Sequence, residues 1–257
     1  MQWQAIMEAV QQRWQAVLGD NLLGIYVHGS IAFGCFNPEK SDIDFLAVVE
    51  EAPTLPQKRE MIRCLTALAV HAPEKGIEMS VLLRRDCEHF IHPTPYEMHY
   101  SAAWHESYLA DMDGTLARLK GTDADLAAHI TVTRAAGIAL KGPAPQEMFA
   151  PVPAEDYLDS IRGDVENAAE DVLRDPVYIL LNLCRVLAYA RSGAVLSKAE
   201  GGEWGAACLP EKYRALLTGA LRSYRTGEPM AANGDILQEF ARYMLQQILP
   251  AEQEDAP

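Results

Sequence analysis

Apolar residues at Trp3, Ile6, Ala9, Val10, Trp14 and Val17 recur at three- and four-residue steps, which predicts an amphipathic helix closed by Gly19 and Asp20. Leu22–Val27 (LLGIYV) then reads as a short buried strand. Gly29-Ser30 follows, with a short helix beginning around Ile31 to Phe33, and Asn37, Pro38 and Ser41 mark a turn. Ile43–Val49 (IDFLAVV) is a second apolar strand, entered through Asp42 and Asp44. A helix over residues 56–69 places Met61, Leu65 and Leu68 on one face, and Gly76 opens a third strand, Ile77–Leu83. Strands separated by helical stretches predict a sheet covered by helices, in the α/β or α+β range.

From residue 96 to 140 the pattern becomes mainly helical. Residues 141–153 (KGPAPQEMFAPVP) hold four prolines, the composition of an extended connection, and the domain boundary is placed there. Beyond it the pattern is helical throughout. Tyr157, Ile161, Val165, Ala168 and Val172 keep a helical spacing, and residues 177–190 (VYILLNLCRVLAYA) are apolar nearly all round, as expected of a central helix stopped at Gly193. Ser197 and Glu200 form the S-x-x-E pattern of a capping box at the start of another helix. Ile236, Phe240, Met244 and Ile248 mark the last helix, and residues 251–257 read as a frayed acidic tail.

Composition narrows the partners. The 257 residues carry a formal charge of −14, against the basic surplus that binding to phosphate backbones needs. The same acidity suits a cationic small molecule through long-range attraction. No apolar run approaches the ~20 residues of a membrane helix, and the start MQWQAIMEAVQQRW lacks the form of a secretory leader. The five cysteines contain no CxxC pair and read as reduced thiols of a cytoplasmic protein.

The chemistry concentrates between Val27 and Val49 (VHGSIAFGCFNPEKSDIDFLAVV). A strand that ends in Gly29-Ser30 and leads into a helix offers free backbone N–H groups to a phosphate, with the Ser30 hydroxyl as a further donor. Strand residues two apart face the same way, so Asp42 and Asp44 project to one side while Ile43 points into the core. Two carboxylates this close call for a cation, and hard oxygen ligands suit Mg²⁺ held together with substrate phosphates. In GIEMSVLL, Glu78 opens an otherwise apolar strand, where a carboxylate is costly to bury alone. Beside the Asp42/Asp44 strand it could join the metal site or act as general base in displacement at an α-phosphorus. His28 reads as orienting the loop or packing, and His89, His92, His99 and His105 are too irregular to argue a metal site. Three costly carboxylates weigh against a non-catalytic binding module of the same fold, and the net charge weighs against transfer to RNA.

The glycine-serine followed by paired aspartates resembles the signature of the nucleotidyltransferase superfamily. More narrowly, GIEMSVLL, HYSAAWHESY, IALKGPAPQEMFAPVP and LLNLCRVLAYARSGAVLSKAEGGEWGAACLPEKY are similar, in order and spacing, to the streptomycin/spectinomycin adenylyltransferases of the aminoglycoside nucleotidyltransferases. The resemblance implies an α/β (α+β) nucleotidyltransferase domain with a mixed sheet over residues 1–153, then an all-α helical-bundle domain over residues 154–257. It implies transfer of AMP from ATP to an antibiotic hydroxyl, with Mg²⁺ as cofactor and pyrophosphate released. By the same resemblance Gly29 and Ser30 hold phosphate, Asp42, Asp44 and Glu78 bind Mg²⁺, and Glu78 is the base. Arg185, Lys198 and Tyr224 align with nucleotide contacts, and Trp104, Asp175 and Tyr178 with the wall facing the drug. The residues agree on two of these: Arg185 interrupts an apolar helix and needs an anion, and Lys198 follows a helix cap, opposed to the helix dipole. Members that accept streptomycin carry a tryptophan and an extra aspartate before the central helix. Here NAAEDVLRDPVY has no tryptophan, although Asp171 remains as an acid, which favours spectinomycin or another small aminocyclitol. The chain is expected to act as a monomer on a cationic antibiotic, without nucleic-acid or membrane partners.

Overall fold

The protein, described here by a computed structural model, is defined over residues 2–248, so the acidic tail read at residues 251–257 lies outside the described residues. The chain divides into two compact units, one up to Pro153 and one from Ala154.

The first unit is organised by a five-stranded sheet. Helix α1 (Trp3–Leu18) and a single 3-10 turn lead into β1 (Leu22–Val27). The one-turn helix α2 (Gly29–Ala32) follows, then β2 (Ile43–Val49), α3 (Leu55–Ala69), β3 (Ile77–Leu83) and α4 (Arg84–Glu88). These three strands are legible as apolar runs because each is apolar on both faces over most of its length, as central strands are. Thr54 and Gln57 form a reciprocal capping box that fixes the start of α3.

Residues 96–140 depart from the mainly helical expectation. They contain α5 (His105–Ala110), α6 (Met112–Arg118) and α7 (Leu126–Ala136), but short strands are set among them. These are β4 (Thr94–Tyr96), β5 (Met98–Tyr100), β6 (Gly121–Asp123) and β7 (Ile138–Lys141). Strands of three or four residues carry too little alternation to be seen, and their partners lie far off in sequence. Strands β5 and β7 close the two sides of the sheet, whose order is β5-β3-β2-β1-β7, while β4 and β6 pair separately. Only β2 and β3 run parallel; the other pairs are antiparallel, so the sheet is mixed. The proline-rich connection is not wholly extended either: Pro145 starts the short helix α8 (Pro145–Met148).

The two faces of the sheet are covered differently. Ile43, Phe45, Ala47 and Val49 of β2 and Ile77, Met79 and Val81 of β3 pack in one core with Ile6, Val10 and Trp14 of α1 and Met61 and Leu65 of α3. On the opposite face a smaller core joins Leu46, Val48 and Leu82 to Leu126 and Ile130 of α7 and Met148 and Phe149 at α8. That smaller core begins at Leu46. The positions before it on the same face, Asp42, Asp44 and Glu78, stay only partly buried.

The second unit is helical throughout. Helices α9 (Ala154–Gly163) and α10 (Ala168–Asp171) are separated by a turn, so the spacing from Tyr157 to Val172 spans two helices, although all five residues are buried. The central helix α11 (Pro176–Ser192) is followed by α12 (Lys198–Cys208), α13 (Arg214–Thr226) and α14 (Gly234–Ile248). Ser197 and Glu200 make the predicted capping box of α12. Helix α12 packs closely on α11: a Cβ at Gly202 would lie 2.4 Å from Leu181 Cδ2, and one at Gly205 2.5 Å from Cys184 Sγ. In α14, Leu237 takes the buried position with Phe240, Met244 and Ile248, while Ile236 is half-buried. No helix among the described residues is long and apolar enough to cross a membrane.

Candidate active site

Parallel pairing of β2 and β3 puts Asp44 directly beside Glu78. One ligand oxygen from each of Asp42, Asp44 and Glu78 can be chosen so that all lie within 4.8 Å of one another. Three carboxylates brought together by adjacent strand ends form a hard-oxygen set of the kind that suits a divalent cation keeping part of its water shell. Burial pushes the Glu78 carboxyl above the ordinary carboxylate range; His129 draws it back, and Asp42, Asp125 and Asp123 push it further up.

The Gly29-Ser30 turn is fastened to the same place. The His28 N–H donates to the Asp44 carbonyl at 2.9 Å, and the Cys35 N–H to the Ser30 carbonyl at 2.9 Å. Gly29 has φ +60°, and a Cβ there would stand 1.9 Å from Asp44 Oδ2. Glycine is therefore demanded twice, by the left-handed backbone and by the approach of the turn to the carboxylate. Ser30 Oγ is buried and has no hydrogen-bond partner among the described residues. An orphaned hydroxyl at the start of a helical turn, beside three carboxylates, fits a triphosphate with its metal.

Some residues at this site were not singled out by sequence reasoning. His129 on α7 has Nε2 3.4 Å from Asp125 Oδ2, and its ring centroid lies 4.9 Å from that of His28. Burial works against an imidazolium there, yet Asp125, Glu78 and Asp44 together hold His129 up to about 10. His28 is driven the other way, well below its ordinary value, by burial and then by His129. Thus His28 is buried and packed against the His129 ring, while the carboxylates around His129 favour its charged form. His99, dismissed as a metal ligand, lies opposite Ser80 on β5, with Nδ1 3.1 Å from Ser80 Oγ. Asp125 and His129 are four apart on one helix face, a readable pair, but nothing in that spacing says which strands the helix covers.

In the helical unit Arg185 meets the anion its position required: Asp164 Oδ2 lies 3.3 Å from its Nη2. Its Nε is buried with no partner among the described residues, so the guanidinium keeps an unused donor. Lys198 stands 4.7 Å over the ring of Tyr178, a cation–π contact. Tyr178 donates its backbone N–H to Asp175 Oδ1 at 3.2 Å, making Asp175 the N-cap of α11. Asp175, Tyr178, Arg185 and Lys198 thus lie along one stretch of α11 and the start of α12. Tyr224 is half-buried on α13. Trp104, in the first unit, is partly buried against the larger core.

Comparison with known proteins agrees with this architecture. The nucleotidyltransferase domain family matches residues 4–87, and the family described as aminoglycoside adenylyltransferase, C-terminal domain, matches residues 147–247. The chain is 26% identical over 234 residues to an aminoglycoside (3'') (9) adenylyltransferase of Klebsiella pneumoniae, covering 88% of this chain and 87% of that one. It is 26% identical over 212 residues to a spectinomycin 9-adenylyltransferase of Enterococcus faecalis, covering 80% and 81%. In fold it is similar to the crystal structure of an Enterococcus spectinomycin adenyltransferase with ATP and spectinomycin, with a TM-score of 0.76 at 21% identity over 95% of this chain and 98% of that one. A region matching the nucleotidyltransferase domain is thus followed, along one chain, by a region matching the C-terminal domain of aminoglycoside adenylyltransferases.

Proposed function

We propose that the protein transfers AMP from ATP to a hydroxyl of an aminocyclitol or aminoglycoside antibiotic, with spectinomycin preferred over streptomycin and pyrophosphate released. The observation that carries this reading is the Asp42, Asp44 and Glu78 cluster lying against the Gly29-Ser30 turn. Gly29 and Ser30 hold the phosphates through backbone N–H groups and the unpartnered Ser30 hydroxyl. Asp42, Asp44 and Glu78 hold Mg²⁺, which when bound supplies charge neutralisation at the phosphates. Glu78 takes the proton of the acceptor hydroxyl. The freed oxygen forms its bond to the α-phosphorus as the bond to pyrophosphate breaks.

Arg185, Lys198 and Tyr224 are assigned to the nucleotide, and Trp104, Asp175 and Tyr178 to the acceptor. The unused Arg185 Nε supports the first assignment. The exposed Asp175 carboxylate, in a chain of charge −14, suits a cationic drug. The preference for spectinomycin rests on NAAEDVLRDPVY, which lacks a tryptophan. The chain acts as a cytoplasmic monomer in this reading. The test is pyrophosphate release with ATP, Mg²⁺ and either drug. Product with spectinomycin alone supports the whole reading, product with streptomycin as well removes the preference, and product with neither refutes the antibiotic acceptor.

A further inference from the structure

Helix α7 does more than cover the sheet. Leu126 and Ile130 bury its apolar side against Leu46, Val48 and Leu82, and between them His129 reaches past the end of that core. Its ring rests on His28, centroids 4.9 Å apart at 46°, and its Nε2 is 3.4 Å from Asp125 Oδ2, one turn back on the same helix. His28 is the residue immediately before Gly29 and is 4% exposed. Its backbone N–H is tied to the Asp44 carbonyl, and its Nε2 has no hydrogen-bond partner among the described residues. The His28 side chain is therefore placed by packing, and a ring paired with its own carboxylate provides one wall of that packing. The charges of Glu78 and Asp44 act on His129 as well.

We infer that His129, anchored by Asp125, is a positioning residue. It seats His28 and through it the Gly29-Ser30 turn, and it sets a fixed positive charge beside the carboxylates that receive the metal. The inference rests on the reading that the turn binds the triphosphate of a metal-bound nucleotide. Two consequences separate it from simple packing. Without the His129 ring the turn loses its backing, so nucleotide held by the turn binds less tightly. Without the His129 charge the carboxylates lose a cation that competes with the metal, so a free divalent ion binds them more tightly. A side chain that merely filled space would weaken both together.

The test uses the full chain and His129→Leu, with His129→Phe restoring a ring against His28. Calorimetry reads the Kd for MgATP without acceptor, and electron paramagnetic resonance reads Mn²⁺ binding without nucleotide. The expected result for His129→Leu is MgATP affinity reduced about tenfold, the scale of losing a group that orients a binding residue. Mn²⁺ binding is expected to tighten, and His129→Phe to recover part of the MgATP affinity with Mn²⁺ still tightened. MgATP affinity equal to wild type, or both affinities falling in parallel, overturns the role. Wild-type protein that binds MgATP but transfers nothing to either drug overturns the functional reading and leaves these binding comparisons to decide His129.

Discussion

Replacing Gly29 by alanine tests whether the turn and the carboxylates are one device. At φ +60° a residue with a Cβ carries a backbone cost of about 1–2 kcal/mol. Spread over a unit of this size, that lowers the melting temperature by roughly 2–8 °C. Gly34 has nearly the same backbone, φ +69°, but a Cβ there meets nothing within 4 Å. Gly34→Ala therefore carries the strain alone. Gly29→Ala carries an addition: its Cβ would lie 1.9 Å from Asp44 Oδ2, where ordinary contact begins at 3.4 Å. Either the turn or the Asp44 carboxylate must move by more than an ångström. A shift of that size in groups that align phosphate and metal costs on the order of a hundredfold in rate. The assay is pyrophosphate release with ATP, Mg²⁺ and spectinomycin, paired with thermal unfolding of both variants. Similar loss of melting temperature, with a large loss of turnover only in Gly29→Ala, is the expected pattern. Equal turnover in the two variants would refute the argument that Gly29 is glycine in order to approach Asp44.

Glu78→Gln should still bind ATP yet lose about 100- to 10,000-fold in turnover, the usual range for a general base; unchanged turnover in steady-state kinetics removes Glu78 from that role. Chelating divalent ions should abolish transfer, and adding Mg²⁺ with ATP should raise the melting temperature of wild type but not of Asp44→Asn, because binding to the native state alone stabilises it. Gly202→Ala should lower the melting temperature of the helical unit. The added methyl would meet Leu181 Cδ2 at 2.4 Å and Leu221 Cδ2 at 2.8 Å, and overpacking of about 1–3 kcal/mol exceeds a helix-propensity gain of ~1 kcal/mol. Asn182 is fully buried with neither amide atom hydrogen-bonded among the described residues, so Asn182→Leu should raise thermal stability; a fall would mean that the amide finds partners in solution.

The parts of the fold legible in the sequence share one property: their signal is local. The three long strands were bounded correctly because each is a six- or seven-residue apolar run. The capping box at Ser197 needed only four adjacent residues. Asp42, Asp44 and Glu78 could be singled out because a carboxylate at the mouth of an apolar strand is anomalous in its own neighbourhood. Strands β5 and β7 had no such signal. Each is three or four residues long and exists because a distant strand offers it hydrogen bonds. The break between α9 and α10 was hidden for the converse reason, since its apolar spacing continues across the turn.

His129 shows where local reading stops. Its pairing with Asp125 follows from a four-residue step, but such a pair on a helix is ordinarily a solvated surface contact of small energy. It becomes part of the site because β7, formed after α7, pairs with β1 and returns the chain to the strand that leads into His28. That closure lays Leu126 and Ile130 on Leu46 and Val48, and the face of α7 one residue away from Ile130 then falls on His28. The clustered carboxylates can be found by asking which residues are out of place in their own segment. A residue that positions them is in place in its segment, and its role appears only when two distant strands are paired. Variants that leave α7 helical but weaken the β1–β7 pairing should therefore weaken MgATP binding as His129→Leu does. Lys141→Pro is the direct case, because proline removes the backbone N–H from a residue paired with Ile25. Loss of MgATP affinity with α-helical circular dichroism retained would support this account, and full affinity despite a weakened edge would refute it.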